Sequence, residues 1–406
     1  MIVALAWRNL WRRPRRTVLS VAGLAFAAAF LVFMPSLQNG AYRAMIENTL
    51  RLYDGYAQLE QPGYREEPDI RSTIDGADEI VDELRGIPGL EEVSARASAF
   101  VLLSADSRSF GAQVLGVSPD TEPGVSRIPG NIETGRFLAS GADDEVVLGA
   151  TLARNLSVDI GDSITLLGTG RDGSLAADSL TVVGTFSTGI NEVDRLTAEM
   201  PLVRFQETFT MPDQAHTVVL SAPTLAEFAP FADRVRAIAA RSGLELLQWR
   251  SLQPGLWQAI ILDASTGALI YVAMVVVVAF TLLNSLLMAV LERTHEFGVL
   301  MALGMRPASI GRMVWIETVL MLALGLGIGI GLGYAISTYF AGVGITFGQM
   351  EEIFGRFGLP GAMHPRVDAL TLLAGPGLIA ICSLLAGIFP YLRVRRLNPV
   401  PAMRAV

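Results

Sequence analysis

The chain has 406 residues, 51% hydrophobic and 17% charged, against about 25% charged in an ordinary soluble domain. All 31 basic residues are arginine, which excludes a P-loop, where a lysine must reach the phosphates, and a pyridoxal-phosphate Schiff base. One cysteine (Cys382), three scattered histidines (His216, His295 and His364) and a net charge of −8 leave no disulfide framework, no metal-ligand spacing and no footprint for nucleic acid.

Residues 1–16 set Leu5, Trp7, Leu10 and Trp11 among arginines, the pattern of an amphipathic helix lying in a membrane interface. Four apolar runs follow, at 17–37, 267–291, 313–340 and 369–392, none containing an arginine. Each reaches the roughly 20 residues that cross a hydrocarbon core of about 30 Å. The first run has a basic leader and small residues at Ala27–Ala29, as a cleavable signal would, but it is too long for such a signal. We read it as an uncleaved anchor.

Arginine counts orient the chain. Residues 1–16, 292–312 and 393–406 together carry twelve arginines and two carboxylates, whereas 40–265 carries seventeen and thirty-three. The positive-inside rule puts both termini and the 292–312 loop in the cytoplasm, with 40–265 and a 341–368 loop outside.

The outside segment reads as folded. Asp75–Gly86 has helical spacing and Val93–Ser104 is strand-like. His216–Ser221 and Leu244–Trp249 are strand-like and flank an amphipathic helix at Thr224–Arg241. These ends suggest one split α+β subdomain. Residues 131–202 between them are rich in β-branched runs and predict an inserted β-rich subdomain, with Gly168–Ser174 as a hairpin tip.

No catalytic set rises above background. The acidic pairs Glu66–Glu67, Asp143–Asp144 and Glu351–Glu352 read as solvated faces. Gly325, Gly329 and Gly333 recur every four residues inside the third run, which forms a smooth stripe for helix packing. Glu317, the one acid within a run, predicts a structural hydrogen bond rather than a proton relay. After the second run, Leu291–Gly298 reads as a short charged helix ended by Gly298, with an apolar turn to Gly304, suited to docking on another protein.

Over essentially its whole length the chain resembles the FtsX-like, MacB-type permease subunits of ABC transporters (type VII). The opening AWRNLWRRPRRTVLS resembles their amphipathic helix leading into a first span. Asn284–Met305 matches V-x-E-R-x-x-E-[IF]-G-x-L-x-A-x-G through Glu292, Arg293, Glu296, Phe297, Gly298, Leu300, Ala302 and Gly304. Val394–Arg404 is similar to their tail, and 135–167 to the β-rich part of their periplasmic domain. Gly184–Leu202 resembles the lipoprotein-releasing LolC/LolE branch.

The resemblance implies an α-helical membrane protein with four transmembrane helices and a large α+β periplasmic domain, a split α/β porter-like subdomain carrying the β-rich insert. It implies a bacterial inner-membrane subunit that is not itself catalytic and holds no cofactor. ATP and Mg would be bound by a separate MacB-type ATPase. The 292–304 stretch would be the coupling helix, with Phe297 and Leu300 as an apolar plug and Glu292, Arg293 and Glu296 as charged contacts. Further partners would be a second permease (the same chain or a related one), membrane lipid, and a periplasmic adaptor or chaperone. The expected work is extraction of lipoproteins or other lipidic cargo; signalling to a periplasmic hydrolase, or efflux of peptides or drugs, are the alternatives. Lipidic cargo predicts an apolar groove from Phe33, Met34 and Leu37 with Trp257, Ile260 and Ile261. A stand-alone secondary transporter would need polar or broken spans at mid-membrane, which these runs lack.

Overall fold

Prolines open three of the four longest helices, where the missing N–H costs nothing. In the computed structural model these helices are Pro14–Thr49, Pro254–Glu292, Pro307–Val343 and Ala369–Arg395, each long and apolar enough to cross a membrane. The structure describes residues 2–141, 144–346 and 362–395. Asp143, Glu351, Glu352, most of the 341–368 loop and the tail from Arg396 lie outside the described residues. The described residues divide into two compact units, one of residues up to Tyr42 with 259–346 and 362–395, the other within 43–258.

In the first unit, all four long helices contribute to one apolar core that includes Leu24, Ala28, Leu31, Val275, Leu282, Leu322 and Ile379. Small residues set how closely they approach. A Cβ on Gly325 would sit 2.6 Å from the Cβ of Leu24, and one on Gly329 would sit 2.5 Å from the carbonyl of Ala25. One on Gly333 would lie 2.8 Å from the Cβ of Val32. The stripe therefore lies on the first long helix. The fourth long helix closes in the same way, Gly387 against Thr318 and Gly375 against Leu31. Pro35 sits inside the continuous first long helix, and the Ser36 hydroxyl donates to the Val32 carbonyl at 2.6 Å. The N-terminal helix spans Ile2–Leu10 and stops before Pro14, shorter than the 1–16 expected, because a residue before proline disfavours the helical region.

The second unit is built on strands β1 (Ala57–Glu60), β2 (Ile74–Asp75), β3 (Glu92–Ala105), β4 (Arg108–Val117), β5 (Ile132–Gly135) and β6 (Glu145–Gly149). They continue as β7 (Ser163–Thr169), β8 (Leu175–Phe186), β9 (Thr197–Pro201), β10 (Gln214–Ala215), β11 (Thr217–Ser221) and β12 (Glu245–Gln248). The order is β12-β1-β11-β3-β4-β9-β6-β8-β5, with β7 pairing both β3 and β8. Those two extra pairings close a ring, β3-β4-β9-β6-β8-β7. Closure pairs the edges that an open sheet would expose.

The 131–202 insert is therefore not a separate sheet. Its strands complete the ring with β3 and β4, which precede it in sequence. The fourteen-residue β3 serves both parts: Glu92–Arg96 pairs with β11, and Leu102–Ser104 pairs with β7. The Thr224–Arg241 helix is also broken, into Leu225–Phe228, a 3-10 turn and Ala232–Arg241, because Pro230 cannot continue it.

Buried charge sits at the junction. Arg96 and Glu122 pair beneath the surface, with Nε to Oε2 at 3.0 Å. Glu199 on β9 is fully buried, and neither carboxylate oxygen has a partner. Burial, with Glu122 nearby, holds its carboxyl well above the usual range, which favours the neutral form. His216 is a core histidine, stacked on Tyr64 at 5.3 Å. Its Nδ1 accepts from the Ser98 N–H at 3.0 Å, which leaves Nε2–H to donate to the Ile70 carbonyl. Burial pushes it down to about 4.

Two outcomes follow from this packing. Gly329→Leu should separate the first and third long helices and destabilise the protein by about 1–3 kcal/mol, whereas Gly331→Leu, which points into open space, should not. Thermal unfolding in detergent checks both. Glu199→Leu should stabilise by about 1–3 kcal/mol at neutral pH by removing two unpaired polar atoms. Because the raised folded value favours the protonated form, the native protein should lose stability as pH rises above the ordinary carboxylate value of about 4.3. The variant should flatten that slope, as unfolding measured across pH will show.

Candidate functional site

The second long helix ends at Glu292. Arg293 leaves helical geometry (φ −107°, ψ 9°), and a short helix, Thr294–Ala302, restarts at once. Gly298 does not end it: it is buried mid-helix. The stop is six residues later at Gly304, whose φ of +95° favours glycine. The Gly304 N–H donates to the Met301 carbonyl and the Met305 N–H to that of Leu300, both at 3.0 Å, the two bonds of a Schellman cap.

The break at Arg293 turns the short helix back onto its own unit. Phe297, expected to face outward as a plug, is 1% exposed. It packs with Ala6, Val290, Ile310, Met313, Val314 and Val394, and Leu300 lies against the same cluster. The outward apolar residues are instead Val299 and Leu303, the latter 80% exposed. They stand four apart, one helical turn, on one face.

Charge anchors this helix from behind. Glu317, on the third long helix, accepts from Arg293 Nη1 at 3.1 and 3.2 Å and from Asn9 Nδ2 at 2.9 Å. The Arg293 guanidinium also lies 5.3 Å over the Phe297 ring. Glu296 accepts from Arg12 at 3.1 Å, and Glu292 pairs with Arg13 and, at 3.3 Å, with Arg16. Arg16 further donates to the Ser285 carbonyl at 2.5 Å. Glu292, Arg293 and Glu296 thus hold partners within the chain. The sequence reading missed Asn9, Arg12, Arg13 and Arg16 as those partners. The available signal is Glu317 itself, an acid in an apolar helix that requires a cation; the cation is Arg293.

The six expected groove residues are divided between the two units. Phe33 packs on Phe340 at 6.1 Å, Ile260 is buried, Ile261 is exposed, and Met34 and Leu37 are half-buried. Trp257 belongs to the second unit, where it meets Trp249 edge-on at 5.3 Å beneath Arg250. The outer ends of the first two long helices are joined by polar contacts instead. Asp263 accepts from Tyr42 at 2.5 Å and from Gln38 at 2.8 Å, and Tyr271 donates to Gln38 at 3.2 Å. A largely apolar furrow lies between the first and third long helices, lined by Val18, Ala22, Phe26, Ile328 and Leu332 with Thr17 at one end. Among the described residues no His, Cys, Asp or Glu cluster could hold a metal ion.

Comparison with known proteins gives this architecture a family. The family model "MacB-like periplasmic core domain" matches residues 17–238, more than half of the chain, and "FtsX-like permease C-terminal" matches 268–399. The lipoprotein-releasing system transmembrane protein LolE of Haemophilus influenzae is 25% identical over 404 residues, covering 95% of this chain and 93% of its own. LolC of Xylella fastidiosa is 27% identical over 72% of this chain and 73% of its own, and LolC of Neisseria meningitidis 23% identical over 74% and 72%. Among solved structures, the periplasmic region of MacB from Actinobacillus actinomycetemcomitans matches at a TM-score of 0.37 and 12% identity, covering 49% of this chain and 91% of that one. The chain belongs to the FtsX-like, MacB-type permeases of ABC transporters, inner-membrane proteins with a periplasmic core domain.

Proposed function

We propose that this permease converts ATP hydrolysis by a separate MacB-type ATPase into movement of its periplasmic domain, and that the work done is release of lipoproteins or related lipidic cargo from the inner membrane. The observation that carries this reading is the short helix Thr294–Ala302. It offers Val299 and Leu303 outward while Phe297, Arg293 and Glu317 fix it from behind. An exposed apolar pair on a rigid support is what a partner's groove can both grip and push. ATP and Mg belong to the partner; in this reading the permease contributes no catalytic group. The cargo class is supported by relatives that are themselves described as lipoprotein-releasing transmembrane proteins. A second permease, identical or related, completes the membrane part, and both termini face the cytoplasm. A periplasmic chaperone or adaptor would receive what is released.

The coupling surface is tested by separating its two faces. Leu303→Asp should abolish co-purification of the ATPase and leave the permease as stable as before, because the side chain is 80% exposed. Phe297→Ala should act on the permease itself, costing about 3–5 kcal/mol of its stability by emptying a buried site. Affinity co-purification and thermal unfolding read the two effects apart.

Topology has its own test. In a Cys382→Ser background, cysteines at Ser174 and Ala308 should label oppositely in intact cells, the first from outside and the second only after permeabilisation. Labelling of both from outside would overturn the proposed orientation.

A further inference from the structure

The motif residues that the family resemblance would give to the ATPase are occupied inside the permease, partly by the third long helix and partly by the N-terminal segment. Ala6, fully buried, joins the cluster around Phe297. Asn9 bonds Glu317, Arg12 bonds Glu296, and Arg13 and Arg16 bond Glu292. Ala6 and Asn9 lie on the N-terminal helix, Arg12 and Arg13 in the three-residue join that follows it, and Arg16 on the first turn of the next helix. By contrast, the direct route from the short helix into the second long helix passes through the non-helical Arg293. A hinge transmits force poorly; a two-sided contact, apolar beneath and ionic along the rim, transmits it well.

We propose that the N-terminal segment Ile2–Arg13 (the helix and the join after it) and the short helix Thr294–Ala302 move as one body, and that this segment passes the ATPase's motion to the first long helix. Asn9, Arg12, Arg13, Arg16 and Glu317 are then positioning residues for coupling. The join to the first long helix is short. Three residues separate the two helices, and the Thr17 hydroxyl donates to the Leu10 carbonyl at 2.5 Å across the gap. From there the motion reaches the third long helix, because Gly325, Gly329 and Gly333 leave no slack between the two. The exposed Arg12–Glu296 pair, with side chains 62% and 47% exposed, sets register rather than strength. Glu317 and Arg293, 10% and 16% exposed, hold the body together.

This inference rests on the proposed ATPase coupling, and the experiment keeps the two apart. The full permease is purified with its cognate ATPase in nanodiscs, in a Cys382→Ser background carrying Arg12→Cys and Glu296→Cys. A short reducible bis-thiol reagent then links the join after the N-terminal helix to the short helix. If they move together, the linked complex hydrolyses ATP at the rate of the same complex after reduction. Arrest by the link, relieved by reductant, would show that the two separate during the cycle and would overturn the inference. Glu317→Gln, close in size, should retain ATPase co-purification yet lose permease-dependent stimulation of hydrolysis by about 2- to 30-fold, the range that such networks carry. Undiminished stimulation in Glu317→Gln would equally overturn it. Failure of the unsubstituted permease to bind any ATPase would sink the functional reading before any link is made.

Discussion

A carboxylate placed in an apolar helix needs compensation, and the arrangement around Glu317 supplies it. Arg293 gives the charge and Asn9 a further donor, so three segments distant in sequence meet at one side chain. The pair contributes little net stability, because the desolvation of both ions offsets their attraction. Its consequence is specificity. Removing one member strands the other, a penalty of about 3–5 kcal/mol for buried pairs, so alternative placements of the short helix are disfavoured. The position of Phe297, the outward face of Val299 and Leu303, and the seat of the N-terminal helix all follow from that fixed point.

The same economy governs the long helices. In lipid the hydrophobic effect does not drive helices together, so close backbone approach and dispersion must do so. The third long helix meets this by offering glycine to the first at three successive turns, and the fourth offers Gly387 to its Thr318. A Cβ at Gly327 or Gly331 would meet nothing within 4 Å. One helix thus has a tight side and an open side, and the tight side links it to the first long helix, the element on which coupling converges.

In the second unit the governing constraint is closure. β3 is long enough to take part in two pairings along its length, and the ring that results needs β7 to join β3 to β8. The cost appears at Glu199, a carboxyl enclosed without a hydrogen-bond partner beside the Arg96–Glu122 pair. A protonated acid is tolerable there in a way an ionised one is not.

What the sequence by itself determined was whatever depends on composition and local period. The four apolar runs, the arginine asymmetry, the glycine stripe every four residues, the 216–221 strand and the hairpin tip at 168–174 are legible because each is a property of neighbouring residues. What only the tertiary structure decided was which face of an element is used and which distant element it meets. Phe297 reads as an exposed plug because the motif is apolar and lies in a loop. It is buried because the break at Arg293 turns the helix back, and no local pattern encodes that turn. Gly298 reads as a stop until the cap at Gly304 is seen. The segment 131–202 reads as an inserted β-rich subdomain from its β-branched runs, but that its strands pair with β3 and β4 is a long-range choice settled by edge closure. Arg12, Arg13, Arg16 and Asn9 look like ordinary members of a basic interfacial helix. Their roles come from Glu292, Glu296 and Glu317, some three hundred residues away, since a buried or crowded carboxylate takes whichever cation the fold brings within reach.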